Sequence, residues 1–550
     1  MSNILFINVI PVPLTPDGEV TMGYDPHMPL SILYLSSSIK KFSNPSHVGL
    51  VDYALYANKI KNYDSIDDFI RCIISDSVEI IPDIVAFSLI FSTAHDFFER
   101  ASRIIRKIWP NSLIVAGGGH AGNAIVMEQI LRENLADYVF RGEGEKSFSD
   151  FINNYDNDCI GNYIKGVYSK KDINLLAESE SNIYTVSDYI ENLDELPFPD
   201  WGILDMDRYL EKGKTRRKEY GKEEGESAYM ASIFTSRGCP FKCTFCSSHT
   251  VHGRKMRYRS DKNVTEEIMT LYSRYGVTDF LPEDDLFTVH KPRILSLLSS
   301  IRNLNIPNMS MQFPNALSVN TLDEDVLDSL FDTGMDIATL AIESGSEYVQ
   351  KNIIKKRCNL DRAKRLVDYI RSKGHFVRCY FIVGFPNETK EMMNETMKFA
   401  STLHADWSAM FTAVPLVGSE MYEEFYNAGV ITDEKKIWRE FYMERNFDTK
   451  EVESKWLNSF VQRNNYMINF FNNPNLKEGN FERALTLFES VVLDHVDHIV
   501  GHYSILKCYD GLGDMQNYNK TLFKINQLID NDKNAASIYE KYKSEFKLLN

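Results

Sequence analysis

Apolar residues recur in short solid runs along the N-terminal part of the chain, and each run is followed by a stretch with helical spacing. Residues 4–9 are a continuous apolar run that reads as a buried first strand. Residues 30–39 have helical periodicity, and 48–52 form a second strand ending in an acid. A helix over 67–75, a strand over 84–88, an amphipathic helix over 97–108, and strands over 112–116 and 136–140 follow. Buried strands alternating with helices predict a doubly wound parallel sheet over residues 1–160. Ligands of such sheets sit beyond the carboxyl ends of the strands. Those ends carry Ser88, Gly117-Gly118-Gly119-His120 and Arg141-Gly142-Glu143-Gly144-Glu145. Glycines there let a ligand approach the backbone closely, although a glycine run equally suits a structural turn. His120, a lone histidine, reads as a hydrogen-bonded structural residue.

Residues 161–226 lack clear periodicity and read as a linker. Leu196-Pro197-Phe198-Pro199-Asp200-Trp201 is a proline-rich tether whose aromatics suit packing across a domain junction. The stretch 212–226 is highly charged, with Arg216, Arg217 and Lys218 in a row, and reads as a solvated loop. Strand and helix then alternate again. Strands are expected over 229–234, 277–281, 308–313, 336–342, 376–383 and 407–414, with helices over 263–275, 291–304, 323–332, 360–373 and 389–403. Polar or glycine residues follow the strands. This describes a partial (β/α)6 TIM-like barrel over residues 227–425, with its chemistry at the C-terminal strand ends. Residues 426–550 read as a helical extension. There, Gly479-Asn480-Phe481-Glu482-Arg483-Ala484 with Phe488 resembles a tetratricopeptide helix pair, and Gly513-Asp514-Met515 recurs 34 residues later. The second copy has Tyr518 where a small residue is expected. The extension reads as a surface for a partner protein, a substrate carrier or a second copy of the chain, or as a helical cap on the barrel.

The densest chemistry lies at the end of the strand over 229–234. Cys239, Cys243 and Cys246 have C-x3-C-x2-C spacing, and Gly238 and Pro240 place them on a tight loop. Three thiolates from one loop suit a [4Fe–4S] cluster with one open iron, because soft sulfur ligands select iron–sulfur or zinc. A structural zinc site takes four protein ligands, and His249 and His252 stand close enough to complete one. Further carboxylates and small polar groups follow the later strands: Glu283, Asp284 and Asp285, then Glu343 and Ser344, then Gly384 ahead of Glu388. Asp285 and Glu388 also fit roles at helix N-termini, and Arg378 and Tyr380 lie on a strand that could face the barrel interior.

A net charge of −16 argues against a broad nucleic-acid-binding surface. Eight cysteines in 550 residues do not make a disulfide framework; Cys72, Cys159, Cys358, Cys379 and Cys508 are scattered and read as ordinary thiols. The first ten residues lack a basic leader, and no apolar run is long enough to span a bilayer. A soluble, cytoplasmic protein is expected.

Cys239, Cys243, Phe245 and Cys246, as C-x3-C-x-aromatic-C, resemble the signature of the radical S-adenosylmethionine (SAM) enzymes. The resemblance implies that the three cysteines hold a [4Fe–4S] cluster whose open iron chelates SAM. Reductive cleavage of SAM then yields a 5′-deoxyadenosyl radical, and Phe245 packs near the adenine. Glu283-Asp284-Asp285 with Phe287 resembles the family's E-D-D-x-F segment, and Glu343-Ser344-Gly345 its E-S-G segment on the ribose and carboxylate side of SAM. Gly384 to Thr389 resembles the G-x-P-x-E-T segment that lines the adenine.

The N-terminal features resemble the cobalamin-binding domain of one large branch of this family. The matching pieces are Pro29-Leu30 with Leu33-Tyr34-Leu35, Val51-Asp52, the strand ending at Ser88, Gly117-Gly118-Gly119-His120-Ala121, and Gly142-Glu143-Gly144-Glu145. The D-x-H-x-x-G string of methionine-synthase-like domains is absent, and Asp25-Pro26-His27 lacks its glycine, so the lower axial position on cobalt has no assigned ligand. The implied cofactors are a [4Fe–4S] cluster, SAM and cobalamin. The implied reaction is functionalisation of an unactivated C–H bond, foremost C-methylation, on a small-molecule or carrier-bound substrate, with a reductant such as flavodoxin or ferredoxin. Oxidative cyclisation or rearrangement with the same cofactors is one alternative. Methylthiotransferase-like RNA modification is another, although only Cys72 and Cys159 stand in the N-terminal domain for an extra cluster.

Overall fold

A computed structural model of the chain describes residues 1–11, 27–178, 184–210, 229–440 and 443–549. The charged stretch 212–226, with Arg216, Arg217 and Lys218, and the Asp25-Pro26 step lie outside the described residues. The chain divides into two compact units that are not contiguous in sequence. One comprises Met1–Glu211, Ala231–Phe287 and Val414–Phe441; the other comprises Lys212–Met230, Thr288–Ala413 and Tyr442–Asn550.

In the first unit, β1 (Asn3–Asn8), β2 (His47–Asp52), β3 (Ile84–Ser88), β4 (Leu113–Gly117) and β5 (Tyr138–Phe140) form the expected parallel sheet, in the order β2-β1-β3-β4-β5. Helices α1 (Leu30–Phe42), α2 (Ile66–Ser77), α3 (His95–Ile108), α4 (Ala124–Arg132) and α5 (Gly144–Asp156) connect or follow the strands. Successive strand residues point to opposite faces. Ile4, Phe6, Ile84 and Ala86 share one core with Ile32 and Ile39 of α1 and Phe148 and Phe151 of α5. On β3 the next residue, Phe87, meets Phe98 of α3 with ring centroids 5.0 Å apart. Burial on both faces is why these strands read as solid apolar runs. The strand order reverses between β1 and β3, the place where such sheets bind ligands. Ser88 ends β3 there, with its hydroxyl 3.1 Å from that of Ser31.

The linker is more ordered than its sequence suggests. Val167–Ser169 forms β6, antiparallel to β5, and α6 (Lys170–Glu178) follows. Three residues are too few for periodicity to register, yet they cover the otherwise open edge of β5. The proline-rich tether lies against α1, where Ser36 Oγ and Lys40 Nζ both donate to Asp200 Oδ2 at 2.5 Å. The unit also contains β8 (Ser236–Arg237) and β9 (Arg257–Tyr258), an antiparallel pair, and β10 (Val277–Pro282), which neighbours β7 (Tyr229–Ile233).

Residues 414–441 return to this unit. Lys435 Nζ lies 2.9 Å from carboxylate oxygens of Glu99 and Glu133, and Arg439 Nε donates to Asp96 at 2.6 Å. The Trp438 ring packs between His95 and His120, at centroid separations of 4.5 and 5.0 Å. The Met421 N–H donates to the Thr244 carbonyl at 2.8 Å, inside the cysteine loop.

The second unit is built on a parallel sheet of β12 (Leu317–Ser318), β13 (Ile337–Glu343), β14 (Phe376–Val383) and β15 (Trp407–Thr412). Helices Glu324–Phe331, Leu360–Ser372 and Lys390–Thr402 precede β13, β14 and β15. The strand expected over 308–313 shrinks to Ser310–Met311. Pro307 and Pro314 bracket it, and Asn308 and Ala316 adopt left-handed conformations (φ 55° and 63°) that cannot continue a ladder.

The C-terminal region is helical, with Phe470, Phe488, Tyr503, Leu506 and Ile525 in one core. Gly479 and Gly513 are left-handed and each follows the last residue of a helix. This region finishes the edge of β15. Asn469 Oδ1 accepts from the Ser408 N–H at 2.7 Å, and its Nδ2 donates to the Ser408 carbonyl at 2.8 Å. One side chain thus supplies both bonds that a further strand would supply. Close by, the buried Asp406 accepts from Arg483 Nε at 2.6 Å, Asn475 Nδ2 at 2.9 Å and the Val377 N–H at 2.8 Å. Asn469→Ala leaves both Ser408 backbone groups without this partner. It is expected to lower stability by about 2 kcal/mol, read as a shifted urea midpoint; an unchanged midpoint would show that the sheet edge does not depend on this side chain.

Candidate active site

The cysteine loop is an excursion with a closed neck. β8 and β9 pair across it, Ser236 opposite Tyr258 and Arg237 opposite Arg257. Gly238 then turns with φ +92°, and a Cβ there would overlap the carbonyl oxygen of Lys255, so only glycine fits the turn. Within the loop, the Cys239 N–H donates to the Gly253 carbonyl and the Cys246 N–H to the Cys243 carbonyl, each at 3.3 Å. None of the three cysteines is in a disulfide and all are half-buried, as is Phe245, which lies among them in sequence. Burial pushes the Cys239 thiol up to about 11, and the charges of Cys246 and Asp285 add to the rise. A cluster bound here displaces the thiol protons on loading.

The acids after β10 hold this loop. Asp284 is buried and accepts from the Thr235 N–H at 2.7 Å, Thr235 Oγ1 at 2.6 Å and Ser236 Oγ at 2.5 Å. Asp285 accepts from the Gly238 N–H at 3.2 Å, and Glu283 accepts from Ser232 Oγ at 3.0 Å. Asp284, expected from the sequence to contact a cofactor, anchors the loop's first residues through three protein donors.

At the carboxyl edge of the N-terminal sheet, Gly118 has φ +98°, and a Cβ would lie 2.5 Å from the Leu89 carbonyl oxygen. Its glycine is required by the turn itself. Gly117 and Gly119 flank it without such a clash, and Gly142 packs on Ser187. His120 is buried, with Nε2 3.2 Å from His95 Nδ1, and burial holds both imidazoles well below their usual range. Glu143, expected from the sequence to contact a cofactor, lies among protein partners. Arg257 Nη1 and Nη2 grip its two oxygens at 2.7 Å each, His252 Nδ1 lies 3.0 Å away, and the Ile190 N–H donates at 3.0 Å. Both carboxylate oxygens are taken up by protein partners. His252 is likewise drawn to Glu143, away from a zinc site. Among the described residues, no group of three His, Cys, Asp or Glu side chains is arranged to hold a single metal ion.

In the second unit, Glu343 ends β13 at φ 71°, a strained left-handed conformation for a side chain of this kind. Its carboxylate is 2.7 Å from Lys356 Nζ. Ser344 is buried, with its hydroxyl 2.9 Å from Thr396 Oγ1 and accepting from the Ser346 N–H at 3.1 Å, so it supports the turn from behind instead of presenting a free hydroxyl. Gly384 has φ +89°; Glu388 Oε2 accepts from the Gly384 and Phe385 N–H groups at 2.6 and 3.0 Å, and Arg445 donates to the Gly384 carbonyl at 2.7 Å. Glu388 thus holds the turn, whereas Thr389 caps the helix that follows.

Sequence reasoning missed the buried cations around the cysteines. Arg237, Arg257 and Arg259 are each nearly inaccessible; Arg259 pairs with Glu267 and donates to the Phe234 carbonyl at 2.7 Å. The available signal was their strict alternation with uncharged neighbours in Arg257-Tyr258-Arg259, a strand period that turns both guanidiniums to one face.

Burial raises Glu388 from 4.5 to about 8, partly offset by the two N–H groups that it accepts from. The folded state therefore keeps a proton that the unfolded state releases above pH 4.5. Stability from this group is full below pH 4.5 and is lost as pH rises toward 8, with a slope of about 1.4 kcal/mol per pH unit. Denaturation of wild type and Glu388→Gln across pH 5–8 is expected to show that slope only in wild type; parallel curves would mean that Glu388 is ionised in the fold.

Comparison with known proteins adds the family. A model of the radical SAM superfamily matches residues 233–400, and a model of the B12-binding domain matches residues 59–152. The chain is 27% identical over 441 residues to cytidylyl-2-hydroxyethylphosphonate methyltransferase of Streptomyces wedmorensis, covering 75% of this chain and 80% of that one. It is 27% identical over 401 residues to an uncharacterized methyltransferase of Pyrococcus horikoshii, covering 72% and 78%. Its fold is similar to that of OxsB, a cobalamin-dependent SAM radical enzyme, with a TM-score of 0.61 at 15% identity over 100% of this chain and 84% of that one. Both parts expected from the sequence, a radical SAM domain and a B12-binding domain, are present in this chain.

Proposed function

We propose that the protein is a cobalamin-dependent radical SAM methyltransferase that methylates an unactivated carbon of a small-molecule or carrier-bound substrate. The observation that carries this reading is the three-cysteine loop of a radical SAM domain in one chain with a B12-binding domain. When bound, the cluster, SAM and cobalamin supply reductive SAM cleavage, hydrogen abstraction and a transferable methyl group. Cys239, Cys243 and Cys246 hold the cluster through thiolates, on a loop kept in place by Asp284 and Asp285. Phe245 would pack beside the adenine of bound SAM. Glu343, oriented by Lys356, and the backbone of the Gly384 turn, fixed by Glu388 and Arg445, bind SAM. Ser88, Gly117, Gly119 and Gly142 form the edge that receives cobalamin. In sequence terms, 1–160 is the cobalamin domain, 161–226 the linker, 227–425 the radical SAM core and 426–550 the helical extension.

Excluding water matters here, because an unquenched radical needs a dry site. A low-potential flavodoxin- or ferredoxin-type donor delivers the electron. None of the eight cysteines is in a disulfide, which suits a reducing, cytoplasmic setting. Among the described residues no helix is long and apolar enough to cross a membrane. The bonds from Asn469 and Arg483 to the β15 edge favour a capping role for the C-terminal helices over a surface reserved for a partner.

Anaerobic reconstitution with iron, sulfide and hydroxocobalamin tests the assignment. Wild type is expected to retain cluster iron and cobalt after desalting and to release 5′-deoxyadenosine from SAM under reduction. Cys239→Ala, Cys243→Ala and Cys246→Ala should each abolish iron retention and SAM cleavage while far-UV circular dichroism stays unchanged. Iron without cobalt would remove the cobalamin role and, with it, the methyl transfer.

A further inference from the structure

Buried carboxylates hold the neck of the cysteine loop from two places, and only one of these belongs to the strand beside it. Asp284 and Asp285 follow β10 and fix residues 235–238 from one side. The second anchor comes from the turn between β5 and α5 of the N-terminal sheet. Glu143 there has 1% side-chain exposure, and Arg257 and Arg237, on β9 and β8, have 2% and 5%. Arg257 binds Glu143 through a two-point fork at 2.7 Å, and Arg237 stands 3.4 Å from the same carboxylate. Arg237 also donates to Glu145 at 2.5 Å. Arg257 continues to the carbonyls of His252 and Ile190, at 2.9 and 2.8 Å, and so ties down the far end of the loop. The charges balance within the cluster: two carboxylates face two guanidiniums, with His252 beside them.

Ion pairs at this depth add little net stability compared with apolar packing of the same volume. They do fix direction, because a guanidinium fork accepts a carboxylate in one plane. Arg237 is two residues before Cys239, and its neighbour across the strand pair is Arg257. A carboxylate that holds Arg257 by its fork and pairs with Arg237 across 3.4 Å therefore constrains the neck from which all three cysteines hang. We propose that Glu143 is a positioning residue for the radical chemistry, orienting the cluster loop toward SAM through Arg237 and Arg257 from the B12-binding domain's own glycine turn. This rests on the function proposed above. It assigns to the Glu143 side chain a task directed at the cluster, while the backbone of Gly142 stays with the cobalamin edge.

The test uses the full chain reconstituted with iron, sulfide and cobalamin, comparing wild type, Glu143→Asp and Arg257→Lys. The conservative variants keep every charge and lose only the reach or the fork. Both are expected to hold wild-type iron and cobalt, to raise the Kd for SAM roughly tenfold, and to weaken the change that SAM causes in the electron paramagnetic resonance spectrum of the reduced cluster. Lys255→Ala, which breaks an exposed pair with Glu191, should leave both readouts as in wild type. Wild-type Kd and spectrum in both conservative variants, even with a lowered melting temperature, would reduce Glu143 to a structural role and overturn the proposal. Failure of the underlying function looks different, since the unmutated chain would then show no spectral response to SAM at all.

Discussion

Holding three sulfur ligands in register on a loop is the constraint that organises the first unit. A loop of this kind has no ladder of its own beyond Ser236–Arg237 and Arg257–Tyr258. Its shape has to be imposed by side chains that accept several donors at once, and Asp284 and Glu143 do so from opposite directions. Each is a carboxylate removed from water, so each costs free energy unless all of its lone pairs are met. That requirement explains the surrounding hydroxyls and guanidiniums: Thr235 and Ser236 for one acid, Arg237 and Arg257 for the other.

The second unit uses the same device at smaller scale. Glu388 grips two backbone N–H groups of the Gly384 turn, and Lys356 holds Glu343 in an uncommon backbone conformation. In both units, buried acidic residues fix the loops that follow the strands. Backbone strain at Glu343 is maintained by the buried polar groups around it, among them the Ser344 hydroxyl and Gln350, whose amide donates to the Ile342 and Ser344 carbonyls at 2.7 Å.

The parallel sheet was legible in the sequence because strands buried on both faces leave unbroken apolar runs, as in Ile84-Val85-Ala86-Phe87-Ser88. β6 was not, being three residues long, and the strand over 308–313 was overextended because two prolines outweigh its apolar content. The three cysteines stood out through spacing alone. The roles of Asp284, Ser344 and Glu143 did not, since local sequence shows a side chain's chemistry but not how many donors the fold will bring to it. Their partners lie up to 114 residues away. Arg257 and Arg259 were visible as an alternating pair, but the meaning of that alternation depended on Glu143 and Glu267 being opposite.

The first unit is assembled from three separated stretches of chain, and the last of them, residues 414–441, is made long after the cysteines. Met421 bonds to Thr244 of the loop, and Lys435, Trp438 and Arg439 bind to α3 and to the ends of the glycine-rich turn. During synthesis on the ribosome, the cysteine loop emerges well before this closing strap. At ordinary elongation rates the gap is on the order of ten seconds or more. Until that interval has passed, the loop lacks the Met421 bond to Thr244 and keeps only the contacts made by residues already synthesised.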